Sequence, residues 1–248
     1  LITNQAHFSM EVADFNRDGY LDILPLSTAY EISQEEPNKS TKIYYGSEKG
    51  FSLQHMESFE TRGDTSTIGD VNNDGYIDLL FHDKRNYVLI YLGGPEGYSM
   101  ERTWKVPCQA LIDTAGLNLA DLNNDGWLDI IISILGHRYR YKDTLRIFFG
   151  SPEGFRPENS QELLAGYSSV ATAIADFNND GNLDLLATAY ATETSRTPPA
   201  VVYYGNGKTL DFDNPVRLEA YASGAAIQVD LNRDGWLDIV LCNHRDDI

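Results

Sequence analysis

Apolar residues along the chain come in short runs, separated by polar segments rich in Gly, Asn and Asp. Met10 to Ala13, Ile130 to Leu135, Ala171 to Ala175 and Leu183 to Ala187 are such runs. No segment sustains the 3.6-residue period of an amphipathic helix, so short β-strands are predicted throughout.

The polar segments repeat. One nonapeptide occurs five times, beginning at Asp14, Asp70, Asp121, Asp176 and Asp230, with starts 56, 51, 55 and 54 residues apart. Position 1 is always Asp, position 3 Asn (Asn16, Asn72, Asn123, Asn178, Asn232), and position 5 Asp (Asp18, Asp74, Asp125, Asp180, Asp234). Position 6 is always Gly and position 9 always Asp (Asp22, Asp78, Asp129, Asp184, Asp238). A second marker follows each of the first four copies. It is Tyr44-Tyr45-Gly46, Tyr91-Leu92-Gly93, Phe148-Phe149-Gly150 and Tyr203-Tyr204-Gly205. Each reads as a strand running into a glycine turn.

One unit therefore has a lead-in strand, an Asp-rich loop, an apolar strand, a variable loop, the aromatic-Gly strand, a turn and a last strand. Four short antiparallel strands in a repeat of this length predict an all-β β-propeller blade. The repeats fall near residues 7–60, 61–112, 113–167, 168–222 and 223–248, the last one partial, so about 4.5 blades are expected in one domain spanning 1–248. The expected whole is a ring of six or seven blades, with a five-bladed ring as the alternative, since a ring broken mid-blade leaves an unpaired edge.

Charge changes the picture. There are 37 acidic and 19 basic residues, a formal net charge of -18. That disfavours a nucleic-acid binder, which needs excess Lys and Arg, and no apolar run is long enough to insert in a membrane. Fifteen of the acids are the loop aspartates, and the remaining 22 nearly balance the 19 bases. The excess is thus local to the five loops. Only Cys108 and Cys242 occur; they are expected to be small buried residues, with one long-range disulfide as the alternative. The chain opens at Leu1 with no recognisable signal peptide in this segment.

Three carboxylates and an amide oxygen on alternating residues of a tight loop suit a hard cation of calcium's size. The backbone carbonyl of position 7 (Tyr20, Tyr76, Trp127, Asn182, Trp236) adds another oxygen. Without His or Cys ligands, zinc and copper are disfavoured. An EF-hand needs a Glu at position 12. Here that position holds Pro25, Phe81, Ile132, Ala187 and Leu241, so position 9 is expected to close the site. The metal-free alternative is an Asp-Gly turn held by Asx hydrogen bonds.

This loop, with an apolar strand after it and the aromatic-Gly strand downstream, resembles the FG-GAP and VCBS repeat family. Its best-known members are the calcium-binding blades of integrin α-chain propellers. The resemblance implies a propeller with up to five Ca²⁺ ions. Each would sit between the first and second strands of a blade, on one face of the disc. Asp14, Asn16, Asp18 and Asp22 match the family motif, as do their equivalents in the other copies. Many relatives carry Asp at position 3, so the Asn removes one charge per site.

Ligand contacts are then expected on the opposite face, from loops between second and third strands. Those loops hold nine of the 19 Lys and Arg residues. The candidates are His82, Lys84, Arg85, His137, Arg138, Tyr139, Arg140, Tyr141, His244 and Arg245. Arg forks among aromatic rings suit carboxylate or sulfate, so a glycan or an acidic protein is the expected partner. The chain is read as a non-catalytic extracellular or cell-surface binding or adhesion module, because weak calcium sites fill at extracellular levels. A propeller polysaccharide lyase and a structural spacer are the alternatives. No nucleophile elbow, HExxH, P-loop or dinucleotide fingerprint is present, and fold alone decides nothing.

Overall fold

The computed structural model describes residues 7–27, 40–61, 63–83, 87–108, 114–134, 145–163, 168–192, 195 and 197–244. These residues are all-β, save one 3₁₀ turn at Pro157–Asn159. The chain divides into two compact units, Leu1–Leu111 and Ile112–Ile248.

The first unit holds two four-stranded antiparallel sheets. One is β1 (His7–Ala13), β2 (Asp22–Ser27), β3 (Ser40–Tyr44) and β4 (Met56–Glu60). The other is β5 (Gly63–Gly69), β6 (Asp78–Asp83), β7 (Tyr87–Tyr91) and β8 (Thr103–Pro107). Each is a simple meander in chain order, as expected for a blade. Leu24, Leu26, Ile43 and Phe59 of the first sheet pack with Leu79, Phe81, Leu89 and Tyr91 of the second. Burying one such side chain stabilises by about 1.5–3 kcal/mol. β6 is buried along its whole length, while β4 alternates in exposure around buried Phe59. That is why second strands read as continuous apolar runs and fourth strands do not.

The second unit repeats the pattern with β9 (Thr114–Ala120), β10 (Asp129–Ile134), β11 (Leu145–Phe148) and β12 (Ser160–Leu163). Next come β13 (Ser168–Ala175), β14 (Asp184–Ala191), β15 (Ala200–Tyr203) and β16 (Val216–Leu218). A two-stranded sheet, β17 (Ser223–Val229) and β18 (Asp238–Asn243), completes the described residues. The fourth sheet is buried on both faces. Leu185, Ala187, Val201 and Tyr203 pack towards the third sheet's Ile131, Leu145 and Ile147. Leu186, Ala200 and Val202 pack towards Ala226, Ile239 and Leu241 of the fifth. Successive residues of one strand thus serve opposite faces, the two-residue period of a pleated strand.

One expectation changes. Cys108 is buried but Cys242 is exposed, and both are free thiols.

Each of the first four sheets ends its third strand at a glycine that passes close against the Asp-rich loop. A Cβ on Gly46, Gly93, Gly150 or Gly205 would overlap the carbonyl oxygen of loop position 8 (Leu21, Ile77, Leu128, Leu183). The obstruction is backbone, so it has no side chain to swing aside. Gly150→Ala is therefore expected to cost about 1–3 kcal/mol by overpacking, read as a lower urea midpoint. An unchanged midpoint would contradict this close approach.

Candidate metal centres

The five loops fold alike. In the first, Asp14 Oδ1 accepts the N–H of Asp18 at 3.0 Å and Oδ2 accepts that of Gly19 at 2.9 Å. Asn16 Oδ1 also accepts the Asp18 N–H at 3.0 Å, and its Nδ2 donates to Asp18 Oδ2 at 3.0 Å. Asp18 Oδ1 accepts the Tyr20 N–H at 2.9 Å. The same five bonds recur in the other four loops, between 2.7 and 3.1 Å. These are stacked Asx turns. They need left-handed backbone at two positions. Position 6 is Gly with φ between 85° and 92°, as its freedom allows. Position 4 also has positive φ, between 55° and 63°, at Arg17, Asn73, Asn124, Asn179 and Arg233. Asn tolerates this region; the two Arg residues do so at some cost.

Position 9 does something the sequence did not reveal. Asp22 Oδ2 accepts the N–H of Phe15, at loop position 2, at 2.8 Å. Its Oδ1 accepts the N–H of Gly46, in the second sequence marker, at 2.8 Å. Asp78 holds Val71 and Gly93 at 2.8 and 2.7 Å. Asp129 holds Leu122 and Gly150, each at 2.9 Å. Asp184 holds Phe177 and Gly205, each at 2.8 Å. All four carboxyls are 0 % exposed. The two sequence markers are thus the two ends of one bond. The signal was available: an Asp and a Gly recur as partners at every repeat.

Burial raises the pKa of each of these aspartates against the opposing pull of its two N–H bonds. The nearby charges of positions 5 and 1 raise it further, to about 6 for Asp78 and about 7 for Asp129. Asp22 and Asp184 shift the same way for the same causes. Position 5 behaves oppositely in the fourth loop. There the N–H of Asn182 and the Asn178 amide hold Asp180 below its ordinary value.

The donors are all oxygens on Asp, Asn and backbone, a set that fits a hard cation of calcium's kind. Each carboxylate oxygen that accepts one N–H retains lone-pair capacity. Among the described residues, no group of three or more His, Cys, Asp or Glu stands together as a ready-made metal cluster. The loops hold their shape through hydrogen bonds, with positions 1, 3 and 5 linked and position 9 drawn back towards the third strand.

A second feature was missed: side chains at position 4 reach the next loop. Arg17 lies over the Tyr76 ring, 3.9 Å from its centroid. Asn124 Nδ2 donates to Asn182 Oδ1 at 3.4 Å, and Asn179 Nδ2 to the Gly235 carbonyl at 3.2 Å.

The candidate ligand residues fare differently. His82 and Asp83 are buried as the end of β6, so His82 is not an exposed loop contact. A histidine enclosed by sheet cannot grip an outside ligand unless the strand end opens. His244 is exposed beside β18. Lys84, Arg85, His137, Arg138, Tyr139, Arg140, Tyr141 and Arg245 lie outside the described residues.

With this geometry in hand, kinship can be stated. Residues 39–132 match the FG-GAP-like repeat family. That segment thus carries the FG-GAP-like repeat that its loop motif suggested. No curated protein matches the sequence. Among solved structures, it is similar to BBS1N, crystallised in complex with ARL6DN and soaked with mercury. The TM-score is 0.51 and identity 10 %, over 88 % of this chain and 56 % of that one. A lead-soaked crystal of the same complex gives 0.51 at 11 % identity, with the same coverage. The V. cholerae biofilm matrix protein Bap1 gives 0.41 at 13 % identity, over 90 % of this chain and 41 % of that one. The chain spans little more than half of the BBS1 structure. The fold is of the β-propeller type. Among the described residues no helix is long and apolar enough to cross a membrane.

Removing the position 9 acceptor strands two buried N–H groups, each worth about 1–3 kcal/mol. Asp129→Ala should therefore lower unfolding stability by about 2–6 kcal/mol in urea melts. Asp129→Asn should lose less, since one acceptor remains. Equal stability of Asp129→Ala and the parent would remove the staple from the account.

Proposed function

We propose that this chain is a calcium-stabilised binding module that works outside the cell or on its surface, where it holds a glycan or protein partner. One observation carries the calcium half. The same Asp, Asn, Asp, Asp donor set is folded five times into one hydrogen-bonded turn. In four of these turns the buried position 9 carboxylate accepts two backbone N–H groups. A carboxylate taken out of water among other carboxylates is costly without a countercharge. A divalent cation supplies one. Positions 1, 3, 5 and 9, with the position 7 carbonyl, would hold it, and its chemistry would be charge neutralisation and loop fixation, not reaction. Extracellular calcium would fill even weak sites.

The binding half draws support from fold and repeat type. FG-GAP-like repeats make rigid sheets with long connecting loops, the usual place for recognition. The BBS1 domain of similar fold was crystallised with a protein bound. An acid-rich loop set leaves the remaining acids and bases nearly balanced, so partner contact falls to local patches rather than to a field over the whole surface.

Calorimetric titration of the chelated protein with Ca²⁺ should show binding with a stoichiometry approaching five. The thermal midpoint should rise with it, by the mass-action stabilisation of about 2.7 kcal/mol per site at a hundredfold excess over Kd. Asp74→Ala, in the exposed part of the second loop, should remove one site from the count. No heat and an unmoved midpoint would sink the calcium reading. Unsaturated product from a uronate polymer would replace the binding reading with a lyase.

A further inference from the structure

We propose that Met100 is a site of stereoselective sulfur oxidation by peroxides, and that this oxidation loosens the seam between the first two sheets. The inference rests on a contact between an exposed thioether and a buried phenol. It is independent of calcium.

Tyr91 closes β7 at that seam. Its side chain is 1 % exposed. The ring packs edge-on against Phe59 of the first sheet, with centroids 5.3 Å apart, and against Phe81 of its own sheet at 6.1 Å. A hydroxyl in such a place needs an acceptor. Tyr91 donates to the Glu60 carbonyl at the end of β4, 2.9 Å away, and to Met100 Sδ, 2.8 Å away. Met100 lies between β7 and β8, where the backbone is held in a turn. The Arg102 N–H donates to the Ser99 carbonyl at 3.2 Å, and the Thr103 hydroxyl to the Met100 carbonyl at 3.2 Å. Met100 is 52 % exposed. It therefore meets the core through its sulfur while much of its surface faces water.

A thioether sulfur has two lone pairs. Oxygen on one gives one sulfoxide epimer, and oxygen on the other gives the opposite configuration at sulfur. In Met100 the Tyr91 O–H occupies one lone pair, and 2.8 Å between sulfur and oxygen leaves no room for a third atom. A peroxide must then react at the other. With hydrogen peroxide the O–O bond breaks and one oxygen bonds to sulfur. Its proton passes to the leaving oxygen, which departs as water. Sulfur is oxidised by two electrons and the peroxide is reduced. The product side chain is polar and no longer packs as a thioether does. The turn loses its attachment to Tyr91, and the seam loses the cover of that turn. Met10 and Met56, the other two methionines, are also exposed. Among the described residues no hydroxyl is bonded to either sulfur, so they are internal references.

The test treats the full 248-residue protein with hydrogen peroxide, digests it, and exposes each methionine peptide to the two epimer-specific sulfoxide reductases. One reductase should restore Met100 almost wholly, while Met10 and Met56 divide between both. Tyr91→Phe keeps the ring without the hydroxyl and should turn Met100 into a mixture. Oxidation should raise the unfolding constant of the parent about two- to tenfold, the scale of a sulfur–aromatic contact. Met100→Leu should not shift on the same treatment. An even epimer mixture at Met100 in the parent would overturn the proposal, as would a single epimer retained in Tyr91→Phe. So would a Met100 that stays unoxidised while the references react, or a parent whose urea midpoint moves no more than that of Met100→Leu. If Tyr91→Phe does not fold, the parent epimer ratio and the Met100→Leu comparison decide.

Discussion

The structure depends on a buried carboxylate that, in each of the first four repeats, accepts two backbone N–H groups from different parts of the chain. The position 9 Asp joins the start of its own loop to the glycine of the third strand. Those glycines stand 24, 15, 21 and 21 residues further along the chain. The intervening loop varies in length, yet the bond does not change. Each of these four sheets is thereby closed at the loop end by a point contact rather than by a long ladder. That contact is costly to lose, since both N–H groups are shielded from water. It also frees the connection between second and third strands to change without disturbing the sheet.

The loops are then tied to one another within each unit by position 4. A guanidinium over a ring and an amide donating to the next loop perform the same task with different chemistry. Both require the residue to leave its loop in the left-handed region, which aims the side chain sideways. The acidic excess of the chain is concentrated in these loops, and Arg17 and Arg233 sit at two of the same turns. Asn at position 3 fits the same economy of charge. Its amide donates to the position 5 carboxylate, a bond that Asp could not make and would replace with repulsion.

Much of the fold was legible because the pattern is periodic. Strand type followed from short apolar runs, and the four-stranded unit from the alternation of two markers. The positive φ of the position 6 glycines followed from their place in the loop. What stayed hidden was connection across sequence. Asp129 and Gly150 were both singled out, yet nothing in one sequence says that a loop acid bonds a strand glycine 21 residues away. His82 was read as loop because it follows the apolar run and precedes charged residues; the sheet continues through Asp83 and encloses it. Cys242 was expected to be buried on composition, but it lies near the exposed end of β18.

The same carboxylate now carries two demands. As a staple it points its oxygens at N–H groups, and a neutral or charged carboxyl can meet that need. As a cation ligand in the proposed calcium form it must be charged and turned towards positions 1 and 5. Burial beside two other aspartates favours the proton, whereas an ion in the loop would favour the charge. These demands are compatible because each oxygen can accept from an N–H and still face a cation. Calcium would act on a shape already set by hydrogen bonds, by relieving repulsion among groups that the backbone has placed together.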